Sequence, residues 1–485
     1  MEWKELLTNS RLGKEEKYPY NEERYPTTDI VKDYEKIIRS AAFRRLQDKT
    51  QVFPLEKSDF IRTRLTHSIE TSTIAKRLAG MVVKNINSSK IDDKNKISKD
   101  RVIDVENIMM CAGLLHDLGN PPFGHFGEVV IGDWFEKHLS DKNFCFRGRP
   151  ISSYLTDQMK KDLINFEGNA QTLRIVTKLD SLTDDNGMNL TKALLNTLIK
   201  YPSSSLEFDS QNKNIRLHKL GYFCSEETEF NEITEDTKTR ISNDLVSRHP
   251  LTYILEAADD IAYATADLED AYKKGLFTVS EFMCFFKQSL EKRKGNMNPE
   301  QYDKTKLLAD VLGKNLERSE GRESAVFYKW IEYVRHWLIY SAAYGFTDNY
   351  NKIMDGTYED DIMKGTFHEY SLKIMKKDIM GKFVYNNSSI IKLELAAQTI
   401  ITSLLDKFIP AVLEFNENVE GYNQSKAEKR LTNLISENYK SRYIKDKTND
   451  ECYNLYLRLL LVTDYISGMT DTYAKDLYQE LQGIY

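Results

Sequence analysis

Apolar residues recur at helical spacing along most of the chain, so the pattern predicts helices rather than strands. Segment 30–50 carries such a stripe among arginines and lysines, and it predicts a basic helix that ends near Gln51. Thr66 is the expected N-cap of a second helix that runs toward Val83. The polar segment 87–100 predicts a loop after it.

The later segments keep the same period, with one polar interruption. Segment 105–117 is apolar almost all round, which predicts a buried helix that must stop at the Gly-Asn-Pro-Pro sequence of 119–122. Residues 203–240 are polar and irregular, and they allow a small β-hairpin within 203–225. Further helices are predicted over 166–180, 188–200, 249–275, 278–293, 301–318, 324–345, 388–416 and 450–482.

These patterns predict a mainly α fold. The weakest boundary lies near 276–300, where the sequences KKGLF and EKRKGNMNPE interrupt the helices. We therefore expect an N-terminal helical core over 1–275, which includes the basic helix, and a C-terminal helical region over 276–485 packed on that core.

Composition removes several classes of protein. Hydrophobic residues at 41% and charged residues at 29% are ordinary globular values, and 22 Gly with 10 Pro fit long helices. No apolar run approaches the length of a membrane span and no secretory leader is visible, so we expect a cytoplasmic protein without a membrane partner. Five scattered cysteines disfavour a disulfide framework or a cysteine zinc site. The net charge of −6 gives no global attraction to nucleic acid.

The stretch LLHDLGNPPFGHFGE at 114–128 crowds two histidines and two carboxylates around a helix that is forced to end. Neighbouring residues of a regular helix point about 100° apart. His116 and Asp117 can therefore reach the same metal ion only near such an end. A buried Asp needs a cation or a complete hydrogen-bond network. A bound metal and a structural His–Asp pair both satisfy that need.

Two other stretches favour the metal. Arg64 and His67 are three residues apart and lie on one helix face, so a metal-binding imidazole would have a guanidinium beside it. A guanidinium close to a metal ion is favourable only if an anion binds to both. In LEAADDIAYATADLEDA, Asp259, Tyr263 and Asp267 recur every fourth residue and form one polar stripe. That stripe is either a solvated face or a pocket wall.

These residues resemble the HD-domain superfamily of metal-dependent phosphohydrolases, whose pattern is a His, then His-Asp, then a distant Asp. More closely, the chain resembles the deoxyguanosine triphosphate triphosphohydrolase family. The resemblance spans six collinear stretches: RSAAFRRLQDKTQVFPL at 39–55, RTRLTHSIE at 62–70, LLHDLGNPPFGHFGE at 114–128, FEGNAQTLR at 166–174, EAADDIAYATADLEDA at 256–271 and DYISGMTDTYA at 464–474.

The resemblance implies a helical HD-domain core in 1–275 and a single divalent metal ion per active site, held by His67, His116, Asp117 and Asp259. Two imidazoles and two carboxylates suit Mn²⁺, Mg²⁺ or Fe²⁺. Asp259 is preferred to Asp260 because it shares a helix face with Tyr263.

The resemblance also implies a catalytic pair, His125 and Glu128, in which the imidazole assists the leaving oxygen and the carboxylate orients the ring. The plainer interpretation is a surface contact three residues apart on a helix. The remaining histidines, His138, His218, His249, His336 and His368, have no comparable arrangement and are predicted to be structural.

Substrate contacts follow from the same resemblance. Arg64 matches a contact to the α-phosphate, and Gln51 and Asp267 match residues that touch the deoxyribose. The remaining triphosphate contacts are expected at Asn169, Lys200, Lys219 and Tyr263. The implied reaction is hydrolysis of dGTP, or of dNTPs more broadly, at the α-phosphorus to deoxynucleoside and inorganic triphosphate.

Other functions stay open at this point. The nearest enzymatic alternative is another HD phosphohydrolase, such as a 5′-nucleotidase or a phosphodiesterase. A catalytically weak nucleotide sensor that binds single-stranded DNA is a further alternative, because segment 425–447 is basic with interspersed tyrosines. The resemblance further implies a homo-oligomer, hexameric in some family members, and leaves single-stranded DNA as an effector. Base preference does not follow from the sequence.

Overall fold

The computed structural model describes residues 1–13, 28–53, 55, 58, 60–89, 96–180, 186–242, 245–417, 419 and 421–484, and of Ser389 only the backbone. The centre of the loop predicted at 87–100 lies outside the described residues. Over the rest of the chain the predicted mainly α fold is confirmed.

The first half of the fold surrounds a long central helix pair. Its helices are α1 (Trp3–Leu6), α2 (Asp29–Arg39), α3 (Ala41–Arg45), α4 (Arg64–Ser88), α5 (Val102–Leu115), α6 (His125–Ser140), α7 (Asp157–Ile164), α8 (Gly168–Arg174), α9 (Lys192–Leu198), α10 (Glu227–Asp236) and α11 (Pro250–Lys273). Helix α8 continues as a π-helical turn over Ile175–Leu179.

The second half adds helices that enclose the first. They are α12 (Val279–Arg293), α13 (Pro299–Glu317), α14 (Glu323–Asp348), α15 (Tyr350–Met354), α16 (Glu369–Lys373), α17 (Ser388–Val412), α18 (Lys426–Leu434), α19 (Glu437–Asp446), α20 (Glu451–Ser467) and α21 (Asp471–Leu481). Two π-helical segments, Ile374–Ile379 and Gly381–Tyr385, follow α16. The predicted helix at 450–482 is two helices, because the chain turns at Gly468 and Thr470 caps the second one.

Two small antiparallel hairpins complete the described structure, and neither lies where one was expected. Strand β1 (Cys145–Phe146) pairs with β2 (Arg149–Pro150), and β3 (Arg240–Ser242) pairs with β4 (Leu245–Val246). The prediction of a hairpin within 203–225 is therefore wrong in its position. In that segment the Ser203 hydroxyl bonds to the carbonyls of Arg216 and Lys219, which folds the segment back on itself without a ladder.

Helix α4 begins at Arg64, earlier than the N-cap expected at Thr66. The Thr63 N–H donates to the Thr66 hydroxyl at 3.0 Å, so Thr66 lies inside the first turn and completes a cap there. This early start puts Arg64 and His67 on the same helix, one turn apart.

Two hydrophobic cores organise the packing. The first is built around α4, α5 and α11 and extends to α12–α14 and residues near Ile390. The second is built around α6, α17 and α20. Each core contains residues from both sides of residue 275, and the division of the chain at that point stays a prediction.

One helix corrects the expectation that no apolar run is long enough for a membrane span. Within α17, Ile390–Val412 is long and apolar enough by length and composition, and half of its most apolar window is buried inside the structure. Leu404, Phe408 and Ile409 of this helix belong to the second core. Core helices commonly pass this test, so the segment is weak support for membrane insertion.

Candidate active site

Three helices bring side chains from three separated segments to one corner. His67 lies in the first turns of α4, His116 and Asp117 follow α5, and Asp259 lies in the middle of α11. The Asp259 Oδ1 atom is 3.2 Å from the Nε2 atom of His67 and 3.2 Å from that of His116. Ligand atoms of His67, His116 and Asp117 lie within 4.8 Å of one another. Ligands about 2.1 Å from a shared octahedral ion are about 3 Å apart, so the corner has the dimensions of a metal site.

The hydrogen bonding of His116 indicates that this corner needs a cation. Its Nδ1–H donates to the Gly113 carbonyl at 2.8 Å, which leaves the Nε2 lone pair facing the carboxylates of Asp117 and Asp259. The buried His116 Nε2 and His67 Nδ1 atoms have no hydrogen-bond partner in the described part of the chain. Acceptors that face each other in a buried site are unfavourable without a positive charge between them, and the N and O donor set suits a divalent first-row ion or Mg²⁺.

Two cations outside the corner hold its carboxylates. Arg64 Nη1 donates to Asp117 Oδ2 at 2.5 Å, and Lys200 Nζ donates to Asp259 Oδ2 at 2.9 Å. Burial alone raises the pKa of Asp117, but the charge of Arg64 outweighs it and the pKa falls well below its usual range. The charge of Lys200 lowers the pKa of Asp259 in the same way against burial. Both carboxylates are therefore ionised and available as ligands at neutral pH.

The second chemical pair lies at the start of α6. His125 Nδ1 is 2.6 Å from Glu128 Oε2, and the other Glu128 oxygen accepts the Gly168 N–H at 2.9 Å. The hydrogen bond to Glu128 raises the pKa of His125. Burial raises the pKa of Glu128, but the bond to His125 and the charge of Lys219 outweigh burial and lower this pKa below its usual value. The His125 side chain is 77% exposed, so the imidazole faces solvent or a ligand.

The turn that ends at His125 requires a glycine. Gly124 has a φ of +64°, and a Cβ there would lie 2.6 Å from Nη2 of Arg64. Only glycine lets the backbone take this conformation while the guanidinium lies against it. The turn therefore links the Arg64 side of the site to the His125 side.

Lys219 and Asn169 share a buried partner. Lys219 Nζ donates to Glu167 Oε1 at 2.9 Å, and the Asn169 amide donates to the same oxygen at 2.7 Å. Burial and the neighbouring Glu128 raise the pKa of Glu167. Glu167 thus fixes two predicted phosphate contacts side by side. It was not among the predicted site residues.

A cavity of about 950 Å³ joins these groups. Its volume falls in the range of small-molecule sites. Most of the predicted site residues line it, while His67 and His116 lie buried behind Asp259. The predicted residues along its wall are Gln51, Arg64, Asp117, His125, Glu128, Asn169, Lys200, Lys219, Asp259 and Tyr263.

The two predicted sugar contacts differ in position. Gln51 lines the cavity, and its Oε1 atom is buried with no hydrogen-bond partner in the described chain. Asp267 is 1% exposed and is not among the described residues that line the cavity. Its two oxygens have no partner there either, and burial together with Asp270 raises its pKa well above the usual value. The sugar role of both residues stays a prediction.

The structure adds residues that sequence reasoning missed. Lys373 lines the cavity from the end of α16, Lys376 and Lys377 line it from the segment that follows, and Lys376 pairs with Asp260. Asp260 is therefore turned away from the metal corner. The run LKIMKKD at 372–378 was a visible signal, but nothing in the sequence connects it to a cavity formed more than 100 residues earlier.

Among the histidines predicted to be structural, His218 also lines the cavity, and its Nε2 atom is bonded to the Asn212 carbonyl at 2.6 Å.

Comparison with known proteins agrees with this geometry. Residues 64–149 match the HD domain, and residues 370–480 match the phosphohydrolase-associated domain. The chain is 44% identical to a deoxyguanosinetriphosphate triphosphohydrolase-like protein of Listeria innocua, with all of both chains covered. It is 32% identical to a protein of the same name in Synechocystis, again over all of both chains. It is 32% identical to a deoxyguanosinetriphosphate triphosphohydrolase of Yersinia enterocolitica, with 95% of each chain covered.

Proposed function

The chain belongs to the deoxyguanosinetriphosphate triphosphohydrolase family of HD-domain hydrolases, and from that premise we propose that it hydrolyses dGTP, or deoxynucleoside triphosphates more broadly, to deoxynucleoside and inorganic triphosphate. The observation that carries the proposal is the convergence of the four-residue metal corner, Arg64 and the His125–Glu128 pair on one cavity. Water attack at the α-phosphorus follows if the metal corner, Arg64 and His125 all meet at that phosphate.

His67, His116, Asp117 and Asp259 would hold one divalent ion, for which Mn²⁺, Mg²⁺ and Fe²⁺ are the candidates. When bound, such an ion withdraws charge from a phosphate oxygen and lowers the pKa of a coordinated water. Arg64 keeps Asp117 ionised and presents its remaining N–H groups to an anion, a role that suits the planar guanidinium.

His125 is the proposed general acid. Its bond to Glu128 keeps the imidazole protonated above its ordinary pKa, so a proton is available for the departing 5′ oxygen of the nucleoside. Glu128 is itself fixed by the Gly168 N–H, which sets the direction in which the ring points. Exposure of the ring lets it recover a proton from solvent after each turnover.

The triphosphate is assigned to a set of cationic and polar groups around the rest of the cavity. Asn169, Lys200, Lys219 and Tyr263 are the contacts implied by family resemblance, and Lys373, Lys376 and Lys377 add positive charge on the facing wall. Among the described lining residues these cations lie beside nine carboxylates, so the support for an anionic ligand is the placement of individual cations together with the charge of a bound ion, and not a net positive cavity. Gln51, whose buried Oε1 atom has no hydrogen-bond partner among the described residues, is assigned to a sugar hydroxyl.

Assembly and effectors are part of the proposal as well. Exposed aromatic side chains follow one another along α14 at Trp337, Tyr340 and Tyr344, and such a patch favours a homo-oligomer. Light scattering of the purified protein tests this. For single-stranded DNA the support is weaker, since Tyr443 in the basic segment 425–447 is buried and Tyr439 accepts a bond from Arg45. A cytoplasmic location stays a prediction.

Product analysis tests the proposed reaction. The purified protein is incubated with dGTP and Mn²⁺, and the products are separated by ion exchange; the other dNTPs and GTP follow with each candidate metal. We expect deoxyguanosine and inorganic triphosphate. Formation of dGMP with pyrophosphate, or of dGDP with phosphate, would contradict attack at the α-phosphorus with the 5′ oxygen of the nucleoside as leaving group.

A further inference from the structure

The sequence DYISGMTD at 464–471 belongs to the family pattern, yet none of its residues lines the cavity among those described. It spans the end of α20 and the start of α21, at the edge of the second core. Its polar groups nevertheless make long-range contacts toward the site. Asp464 accepts hydrogen bonds from Gln171 and Arg174 of the α8 region, and the Ser467 carbonyl accepts one from Lys49.

Asp471 makes the most specific of these contacts. One oxygen, Oδ2, accepts the Thr50 N–H at 3.0 Å and also the Thr50 hydroxyl. The other, Oδ1, accepts the Phe123 N–H at 3.0 Å. The residue is 2% exposed, so these bonds form away from water, where a charged acceptor is strong and a lost partner is costly.

Both partners of Asp471 lie next to residues that face the cavity. Thr50 precedes Gln51, whose side chain lines the cavity. Phe123 begins the turn with positive φ that continues through Gly124 to His125. A single carboxylate from the C-terminal region therefore ties the Gln51 loop, which packs near the first core, to the His125 turn, which packs on the second.

The carboxylate is not needed by its own helix. Thr470 caps α21 by accepting the Tyr473 N–H, and the hydrogen bonds of the Asp471 side chain all run to the two other segments. Lys49 reinforces the junction, since its ammonium donates to the carbonyls of Asn120 and Ser467 at 2.7 Å each. The DYISGMTD segment thus holds both sides of the cavity rim at the end where Gln51 and His125 lie.

We propose that Asp471 is a positioning residue that fixes the Gln51 loop against the His125 turn and thereby sets how the site holds the sugar of its substrate. The inference rests on the proposed function, because Gln51 and His125 there contact the deoxyribose and its 5′ oxygen. Rejecting a ribose 2′-hydroxyl requires sugar contacts held closely in place, and small misplacements of catalytic groups are costly. The triphosphate contacts Lys200, Lys219 and Asn169 have no bond to Asp471 and stay in place without it.

The variant Asp471→Asn tests this, with Asp476→Asn as a matched control on the exposed face of the same helix. We expect Asp471→Asn to lower kcat/KM for dGTP by about tenfold to a hundredfold and to reduce the ratio of dGTP to GTP hydrolysis by about tenfold. The inhibition constant of inorganic triphosphate and the affinity for Mn²⁺ are expected to match the control. The ratio is independent of the fraction of folded protein, so it separates positioning from a general loss of stability.

If Asp471→Asn does not fold, Thr50→Val provides the second test, because it removes only the hydroxyl donor and keeps the backbone bond. It is expected to lower the dGTP to GTP ratio in the same direction by a smaller factor. Equal losses for dGTP and GTP, or a parallel weakening of triphosphate binding, would overturn the inference. A wild-type protein that releases no triphosphate from dGTP would overturn the proposed function and this inference with it, whereas an active wild type with an unchanged ratio in both variants overturns this inference alone.

Discussion

The metal corner and the His125 edge of the same cavity are built in opposite ways. The corner takes its ligands from three long helices of the first core, and His67 there is 1% exposed. Each carboxylate has its own cation, Arg64 for Asp117 and Lys200 for Asp259. The His125 edge stands on the second core, with an exposed imidazole held by one buried carboxylate.

The difference follows from what each region must do. A metal corner needs fixed distances and ionised ligands, and burial in packed helices with matched charges supplies both. In the proposed mechanism His125 is a proton donor that must exchange with water between turnovers, and its exposed position at a helix start permits this exchange. We expect changes in the corner to abolish turnover, and changes at the edge to slow it or shift its pH dependence.

Substitution of Asp259 gives the largest expected effect. Asp259→Asn removes a charged ligand shared by both imidazoles and leaves the Lys200 ammonium without its carboxylate. We expect turnover to fall by at least about 10⁴-fold, since a metal contributes several kcal/mol to the transition state. Mn²⁺ affinity, measured by calorimetry, is expected to weaken while the circular dichroism spectrum stays native. Asp260→Asn is the control, and unchanged turnover in Asp259→Asn would mean that the corner is assigned to the wrong aspartate.

Substitution of His125 is expected to have a smaller effect than substitution of Asp259. For His125→Ala we expect turnover to fall by about 10²–10⁴-fold, the usual contribution of a general acid, with Mn²⁺ affinity unchanged because no metal-corner residue is touched. His218→Ala serves as the control, since His218 also lines the cavity but bonds to the Asn212 carbonyl. A normal rate in His125→Ala would remove this residue from the mechanism.

The smallest effect is a change in pH dependence. Glu128 raises the pKa of His125, so the acid form persists to higher pH and is lost as pH rises through that raised value. Glu128→Gln removes the charge, and the alkaline fall of kcat/KM is expected to move to lower pH. The profile is measured against Glu136→Gln, an exposed carboxylate on the same helix. An unmoved alkaline limb would show that another group controls it.

The helices themselves were largely predictable. Helices α11, α12, α13 and α14 begin and end within a few residues of the predicted segments, because each has a capping residue or a proline at its start or a continuous apolar stripe. Predictions failed where local hydrogen bonds decided the outcome. The N-cap of α4 is Thr63 and not the predicted Thr66. Both described hairpins lie outside 203–225.

The residues of the candidate site were also predictable only in part. His67, His116, Asp117, Asp259 and Arg64 lie in short motifs whose helix positions place them on known faces. Glu167 and Asp471 lie in stretches of the family pattern and Lys376 does not, but none of the three was predicted as a site residue, because a lone charged residue is most often solvated. Their roles emerge from partners between about 50 and 420 residues away, such as Lys219 for Glu167 and Thr50 for Asp471.

The sequence by itself determined the helical class, the order of the helices and the residue types that suit a metal and a phosphate, since period, capping and ligand chemistry are local properties. Only the tertiary structure decided which lysines reach the cavity and that a C-terminal carboxylate joins its two sides. Those outcomes depend on how packed helices are rotated and spaced, and the free energy that sets them comes from contacts between segments far apart in the chain.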